Sequence, residues 1–282
     1  MLKTCIESDA YMGGYDYVEG LKKAKEHGYD AIDYQNFFID SEPYNKYSDQ
    51  EYLEYLKSIK KAADDAGIEI CQVHGINPLK EFMEEYPEVD AKFERQLITC
   101  KELGSKYLVI HPYTDGYVYL AESHARIYEK NKQALKVMLS VAKKYGVTIC
   151  LENLPFRWHE MCRVTEIKRL VRDINDENLG VCFDTGHANV MREDIYKSII
   201  ILGDDLKTLH VHDNFGGADD RHYIPYKGNI DWDAFVKGLN EIGFKGYMNL
   251  ETMIERKTPE PMKEQLQKGL YGIAKYLADK VR

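Results

Sequence analysis

No apolar stretch in the 282 residues approaches the ~18 needed to cross a bilayer. The opening segment, MLKTCIESDAYMGGYDY, has no basic stretch followed by an apolar run. Neither a membrane span nor a secretory leader is expected, and a cytoplasmic location is. Positive charge is in deficit, with 38 Lys and Arg against 47 Asp and Glu for a formal net charge of -9. A long polyanion would be repelled unless cations were concentrated locally or supplied by bound metal, which disfavours nucleic acid as a partner. Cysteine is sparse and scattered, at positions 5, 71, 100, 150, 162 and 182, with no CxxC pair and no dense spacing. A disulfide framework is thereby excluded, and the thiols are expected to be reduced. Cys5, Cys71, Cys150 and Cys182 sit inside apolar strand-like runs, where a thiol serves as a small buried hydrophobe.

Linkers, low-complexity segments and breaks in composition are also missing, so residues 1–282 read as a single domain. With 44% hydrophobic and 30% charged residues, the chain can build a sizeable core and is neither fibrous nor disordered. What is present is a repeat of short β-rich runs and longer amphipathic helices, the pattern of parallel strands joined by crossover helices. Eight strand candidates can be counted: 3–8, 31–35, 68–74, 107–111, 148–152, 180–184, 208–212 and 247–251. Between them, YLEYLKSIKKAADDAG and NKQALKVMLSVAKKYG carry apolar residues at helical spacing and close on a glycine able to take positive φ. Asp231 is the expected N-cap of WDAFVKGLNEIG. Eight such units fit a closed (β/α)8 barrel better than an open sheet. A doubly wound sheet is the alternative, but no glycine-rich phosphate fingerprint follows the first strand, where a dinucleotide fold would need one.

In strand after strand the apolar run terminates in a residue able to bind metal. CQVHG ends at His74, YLVIHP at His111, ICLEN at Glu152, VCFDTGH at Asp184 and His187, LHVHDN at His212, and MNLET at Glu251. Barrel active sites form at the C-terminal ends of the strands, so these residues are expected to converge in one bowl. Several carboxylates there would repel one another unless a cation neutralised them. Any one such residue could be a satisfied barrel side chain, but independent structural needs would not select ligand types at successive strand ends.

The segments LENLP, CFDTGHAN, LHVHDN, DRHYIPYKGNIDW and NLET resemble the xylose isomerase-like barrel superfamily of sugar isomerases, epimerases and endonuclease IV. Motif order matches from the third strand to the eighth, and the first two strands offer nothing as specific. In the sugar epimerase branch the resemblance implies one Mn2+, Co2+, Mg2+ or Zn2+ held by Glu152, Asp184, His212 and Glu251. It also implies proton abstraction next to a metal-polarised carbonyl through an enediolate, with Glu152 and Glu251 as the acid/base pair. His187 looks like the residue that contacts substrate hydroxyls, and His74, His111, Arg221 and His222 are further candidates for binding a sugar or sugar phosphate. Alternation along a strand puts His210 and His212 on one face and does not separate them. The choice of His212 rests on its strand-end position and on the resemblance, with His210 expected one layer deeper, donating a hydrogen bond.

Endonuclease IV uses the same barrel with extra ligands for three zinc ions, and His74, His111, His187, Asp220 and His222 all match. Against a DNA phosphodiesterase stand the net charge and the lack of clustered Arg and Lys with aromatics. Inosose dehydratase-type or glycoside lyases, and a barrel that binds sugar without catalysis, are further alternatives. Tyr11, Tyr15, Tyr34, Tyr113, Tyr117, Tyr119, Tyr223 and Tyr226 are expected mostly to pack, some of them against a sugar face. Arg157, Trp158, Arg221 and Lys227 lie in loops where they could bind a phosphate or simply face solvent. The resemblance also suggests a homodimer or homotetramer.

Overall fold

The computed structural model describes residues 1–12, 17–35, 42–75, 91–114, 121–217, 220–252, 254–255 and 257–282. Eight parallel strands are β1 Lys3–Glu7, β2 Ala31–Gln35, β3 Glu69–His74, β4 Tyr107–Ile110, β5 Thr148–Glu152, β6 Leu179–Asp184, β7 Leu206–His210 and β8 Tyr247–Leu250. Their order, β7-β6-β5-β4-β3-β2-β1-β8, leaves β7 and β8 at the two ends. These ends meet at a parallel bridge between Val211 and Leu250. There Val211 N donates to Asn249 O at 2.9 Å and Glu251 N to Val211 O at 3.1 Å. The sheet thus closes on itself as the (β/α)8 barrel that the repeat pattern implies.

The longer helices are α1 Tyr17–His27, α2 Asp49–Ala66, α3 Ala91–Leu103, α4 Ala121–Tyr145, α5 Val164–Ile174, α6 Ile195–Leu202, α7 Trp232–Glu241 and α8 Glu260–Lys280. Each begins and ends for local reasons. At the start of α2, Ser48 and Glu51 form a reciprocal capping box, and Gly67 closes the helix at φ 70°. Asp231 caps α7 by accepting from Ala234 N, as its position before the apolar pattern implies. In α2, Tyr52, Leu56, Ile59 and Ala63 recur every three or four residues and are the face that is buried.

Alternation then separates the two faces of every strand. Ile149 and Leu151, Val181 and Phe183, Leu209 and Val211, and Met248 and Leu250 belong to the large buried cluster that the helices cover. Each of these side chains contributes on the order of 1.5–3 kcal/mol through burial. The intervening residues Cys150 and Glu152, Cys182 and Asp184, and Asn249 and Glu251 point to the barrel interior instead. All six cysteines are free and buried, as their scattered positions imply. Among the described residues no helix is long and apolar enough to cross a membrane.

Candidate metal centre

At the C-terminal ends of the strands the interior positions bring carboxylates and imidazoles together. Glu152, at the end of β5, is buried. Its Oε1 lies 2.9 Å from His210 Nδ1 and 3.4 Å from His187 Nδ1. Its Oε2 lies 3.0 Å from His111 Nε2 and 3.4 Å from His74 Nε2. Asp184, at the end of β6, also caps the short helix Thr185–Val190, its Oδ1 accepting from His187 N at 2.6 Å. Its Oδ2 lies 3.0 Å from His212 Nε2. Asn153 clamps the Asp184 backbone, donating to its carbonyl and accepting from its N–H, both at 2.9 Å. Glu251 Oε2 completes the cluster at 3.4 Å from His210 Nδ1 and 3.7 Å from His222 Nδ1.

Among the described residues, four side-chain groups have ligand atoms within 4.8 Å of one another: Glu152, Asp184, His210 and Glu251; His74, His210 and Glu251, which overlaps it; His74, His111 and Glu152; and His187, His212, Asp220 and His222. The first differs from the expected set in one residue. His210 stands with the two glutamates, whereas His212 joins Asp220 and His222, its ring stacked on that of His222 with centroids 3.9 Å apart. The reason lies in the register: β7 ends its regular pairing at His210, which is the partner of Asp184 across a register shift at Val181/Cys182. His212 sits two residues further up, against Gly186, where an added Cβ would fall 1.9 Å from the His212 ring. The glycine of the DTGH segment is therefore a packing requirement of His212. His210, expected to lie one layer below His212, faces the glutamates directly.

The other expected residues divide. His74, His111, His187, Asp220 and His222 enter these groups. Arg221, between Asp220 and His222, is exposed and stays outside the buried cluster. Arg157 donates from Nε to Val190 O at 2.7 Å, Trp158 is 72% exposed, and Lys227 lies 3.8 Å from the Tyr223 ring centroid. Tyr11, Tyr34 and Tyr113 are buried packing residues, Tyr223 is half-buried and Tyr226 exposed. Tyr15, Tyr117 and Tyr119 lie outside the described residues. Sequence reasoning missed Glu7, Asp33, Gln72, Asn153 and Asn249, all buried polar residues of the interior. An acidic residue within an apolar run was the available signal for Glu7 and Asp33.

The electrostatics are those of a site short of positive charge. Burial raises the Glu152 carboxyl, but His210 and His111 outweigh it and hold it well below the usual range. Burial opposes protonation of His222, yet Asp220 and Glu251 push it up to about 10. His187 and His210 are raised well above the ordinary histidine value for the same reason, against burial. Glu251 and Glu7 are raised, chiefly by burial. Protons on imidazoles thus balance the carboxylates, a task that a divalent cation performs with more charge in less space. Glu152 Oε2 and Glu251 Oε2 are buried without a hydrogen-bond partner, within ion-pair reach of imidazoles but outside bonding geometry. Orphaned carboxylate oxygens beside imidazole nitrogens fit a divalent metal.

Residues 21–271 match the family model described as xylose isomerase-like TIM barrel, and the chain belongs to that family. An inosose isomerase of Bacillus velezensis is 28% identical over 268 residues, covering 89% of this chain and 88% of that protein. An uncharacterised protein of Methanocaldococcus jannaschii is 33% identical over 174 residues, and the match spans 58% of its length. Among solved structures, D-psicose 3-epimerase in the presence of D-fructose superposes with a TM-score of 0.78 at 19% identity, covering 98% of this chain and 99% of that one. The IOLI protein with a binding zinc atom gives 0.75 at 23% identity, covering 99% of this chain and 98% of that one. At these identities the two structures establish likeness of fold.

Proposed function

We propose that this protein is a divalent-metal-dependent isomerase or epimerase of a sugar or a closely related polyol ketone. The observation that carries the reading is the buried quartet Glu152, Asp184, His210 and Glu251, whose ligand atoms lie within 4.8 Å of one another at the C-terminal end of the barrel. The names of the inosose isomerase and psicose epimerase relatives supply the substrate class. This quartet would hold the ion, with His210 in the place first given to His212. A bound Mn2+, Co2+, Mg2+ or Zn2+ would polarise a substrate carbonyl and its neighbouring hydroxyl.

The chain's own residues do the rest. Glu152 and Glu251 come from β5 and the end of β8, and both approach His210 Nδ1, at 2.9 and 3.4 Å. Each has a second oxygen to turn toward a substrate carbon. One removes the proton next to the carbonyl and the other returns a proton from its own side, inverting the centre when the two act on opposite faces. Their environments are driven apart, Glu152 low and Glu251 high, which suits one to accept a proton and the other to donate it. His187, whose Nδ1 lies 2.7 Å from Asn153 O, would contact a substrate hydroxyl. The test is incubation of metal-loaded protein with inososes and ketohexoses in D2O. Deuterium entering the carbon next to the carbonyl is the expected result; absence of exchange with every ketose tried would sink the reading.

A second reading rests on the two flanking groups. His74 and His111, with Glu152, and His187, His212, Asp220 and His222 offer ligands for further ions, the donor set of a zinc phosphodiesterase. Elemental analysis separates the two readings: about one ion per chain fits the isomerase, and about three zinc ions would move the assignment to phosphoester cleavage.

A further inference from the structure

The imidazoles of the centre are oriented in two different ways. His74, His187 and His222 each set Nδ1 against a backbone carbonyl, Gly75 O at 3.0 Å, Asn153 O at 2.7 Å and Glu251 O at 3.0 Å. Those contacts leave Nε2 to face carboxylates. His210 is reversed. Its Nδ1 points to Glu152 and Glu251, and its Nε2 lies 3.2 Å from Asp33 Oδ2, within ion-pair reach and short of hydrogen-bond geometry, with no other partner.

Asp33 is a fully buried carboxyl in the middle of β2, and its position is fixed from three sides. Gln72 Nε2 of β3 and Asn249 Nδ2 of β8 each donate to its Oδ2 at 2.9 Å. Asn249 is itself tied to Leu209 O at 3.1 Å, beside His210, and the Asp33 carbonyl accepts from Ser8 N at 2.8 Å. The His210 ring is stacked on that of His74, with centroids 5.1 Å apart and planes 10° from parallel. The imidazole is therefore held with a carboxylate beneath it and the glutamates above it.

We propose that Asp33 is a positioning residue of the metal centre. It fixes the proton of His210 on Nε2 and so presents the Nδ1 lone pair to the ion, through the layer Asp33, Gln72, Asn249 that ties β2, β3 and β8 beneath the site. A carboxylate behind a ligating imidazole also raises the basicity of the ligand nitrogen. This inference rests on the proposed metal-binding reading.

The test uses full-length protein labelled with 15N-histidine and loaded with 113Cd2+ alone. In the wild type, His210, assigned by the signal lost in His210→Gln, is expected to couple to cadmium through Nδ1 and to carry its proton on Nε2. Asp33→Ala is expected to weaken Cd2+ affinity by about 10- to 100-fold in a chelator competition. Asp33→Asn, whose amide oxygen still accepts a hydrogen bond, should recover part of that loss. Ser48→Ala, which removes the α2 cap away from the site, should bind Cd2+ within about twofold of wild type. Coupling through Nε2 of wild-type His210, or Asp33→Ala binding as tightly as wild type, would overturn the proposal. The wild-type spectrum decides the matter even where a variant fails to fold. A wild-type protein that takes up no Cd2+ refutes the metal-binding reading itself, which keeps the two failures apart.

Discussion

The two ends of the barrel interior are built from the same strands, yet they carry opposite kinds of side chain. Toward the C-terminal end stand Glu152, Asp184, His210 and Glu251. Earlier on the same strands, the interior is filled by two small apolar clusters. Cys5, Ala31 and Cys71 pack with Tyr247, and Val109, Cys150 and Cys182 pack with Tyr107. A single residue separates Cys150 from Glu152 and Cys182 from Asp184. Burial acts on both layers, and it pushes the Cys182 thiol up to about 12 and keeps it protonated. There His210 opposes burial and burial still prevails, so the thiol is silenced. In the upper layer imidazoles offset burial, and Glu152 and Asp184 stay below the usual carboxyl range. Surrounding charge, rather than depth, separates a site from a plug.

The contrast can be broken most severely at Glu152. Changing it to Gln removes a charge shared by two of the ligand groups, and turnover is expected to fall by about 10^2- to 10^4-fold, with metal content falling in parallel by elemental analysis. Acidification should weaken metal binding next. Below its raised value His210 holds a proton that an incoming ion must displace. Affinity should therefore drop by roughly tenfold per pH unit for each proton released, read by calorimetry in buffers of differing ionisation heat. Leu209→Ala, on the outward face beside His210, should cost about 2–5 kcal/mol in denaturant unfolding while metal stoichiometry stays unchanged.

Glu193, remote from the interior, sharpens the same point. Burial raises its carboxyl to about 7, so the folded state holds its proton more tightly than the unfolded chain does. Stability is then lost as pH rises from about 4.5 to about 7 and stays low above that. Glu193→Gln should stabilise the protein by up to about 3 kcal/mol at pH 8 and by almost nothing at pH 4, as melting curves at the two pH values would show. Tyr247→Phe, at the plugged end, loses the contact of its hydroxyl with Glu69 and should change stability by about 0.5 kcal/mol or less. A larger loss there would mean the two ends are coupled.

The fold was legible because each strand carries its own apolar run and each helix its own caps, signals that are local. Strand-end ligands were legible for the same reason. The choice between His210 and His212 was not, because alternation places both on the interior face. Which one reaches the glutamates depends on a register shift between β6 and β7 at Val181/Cys182. One strand's sequence does not carry that shift. Asp33 was overlooked because its meaning comes from Gln72, His210 and Asn249, residues 39 to 216 positions away in the chain. Read inside AIDYQ alone, it is one acidic residue among apolar neighbours.

The seam between β7 and β8 gives the protein an order of assembly. The barrel closes there through Val211, Asn249 and Glu251, between the strand that carries His210 and the one that leads to Glu251. A nascent chain translated only as far as β7 already holds Glu152, Asp184 and His210, but it lacks both the closing bonds and the last carboxylate. The full quartet comes into being only when β8 emerges from the ribosome and docks. Metal capture would then act as a latch, thrown once at the end of synthesis and holding β5, β6 and β7 to the end of β8.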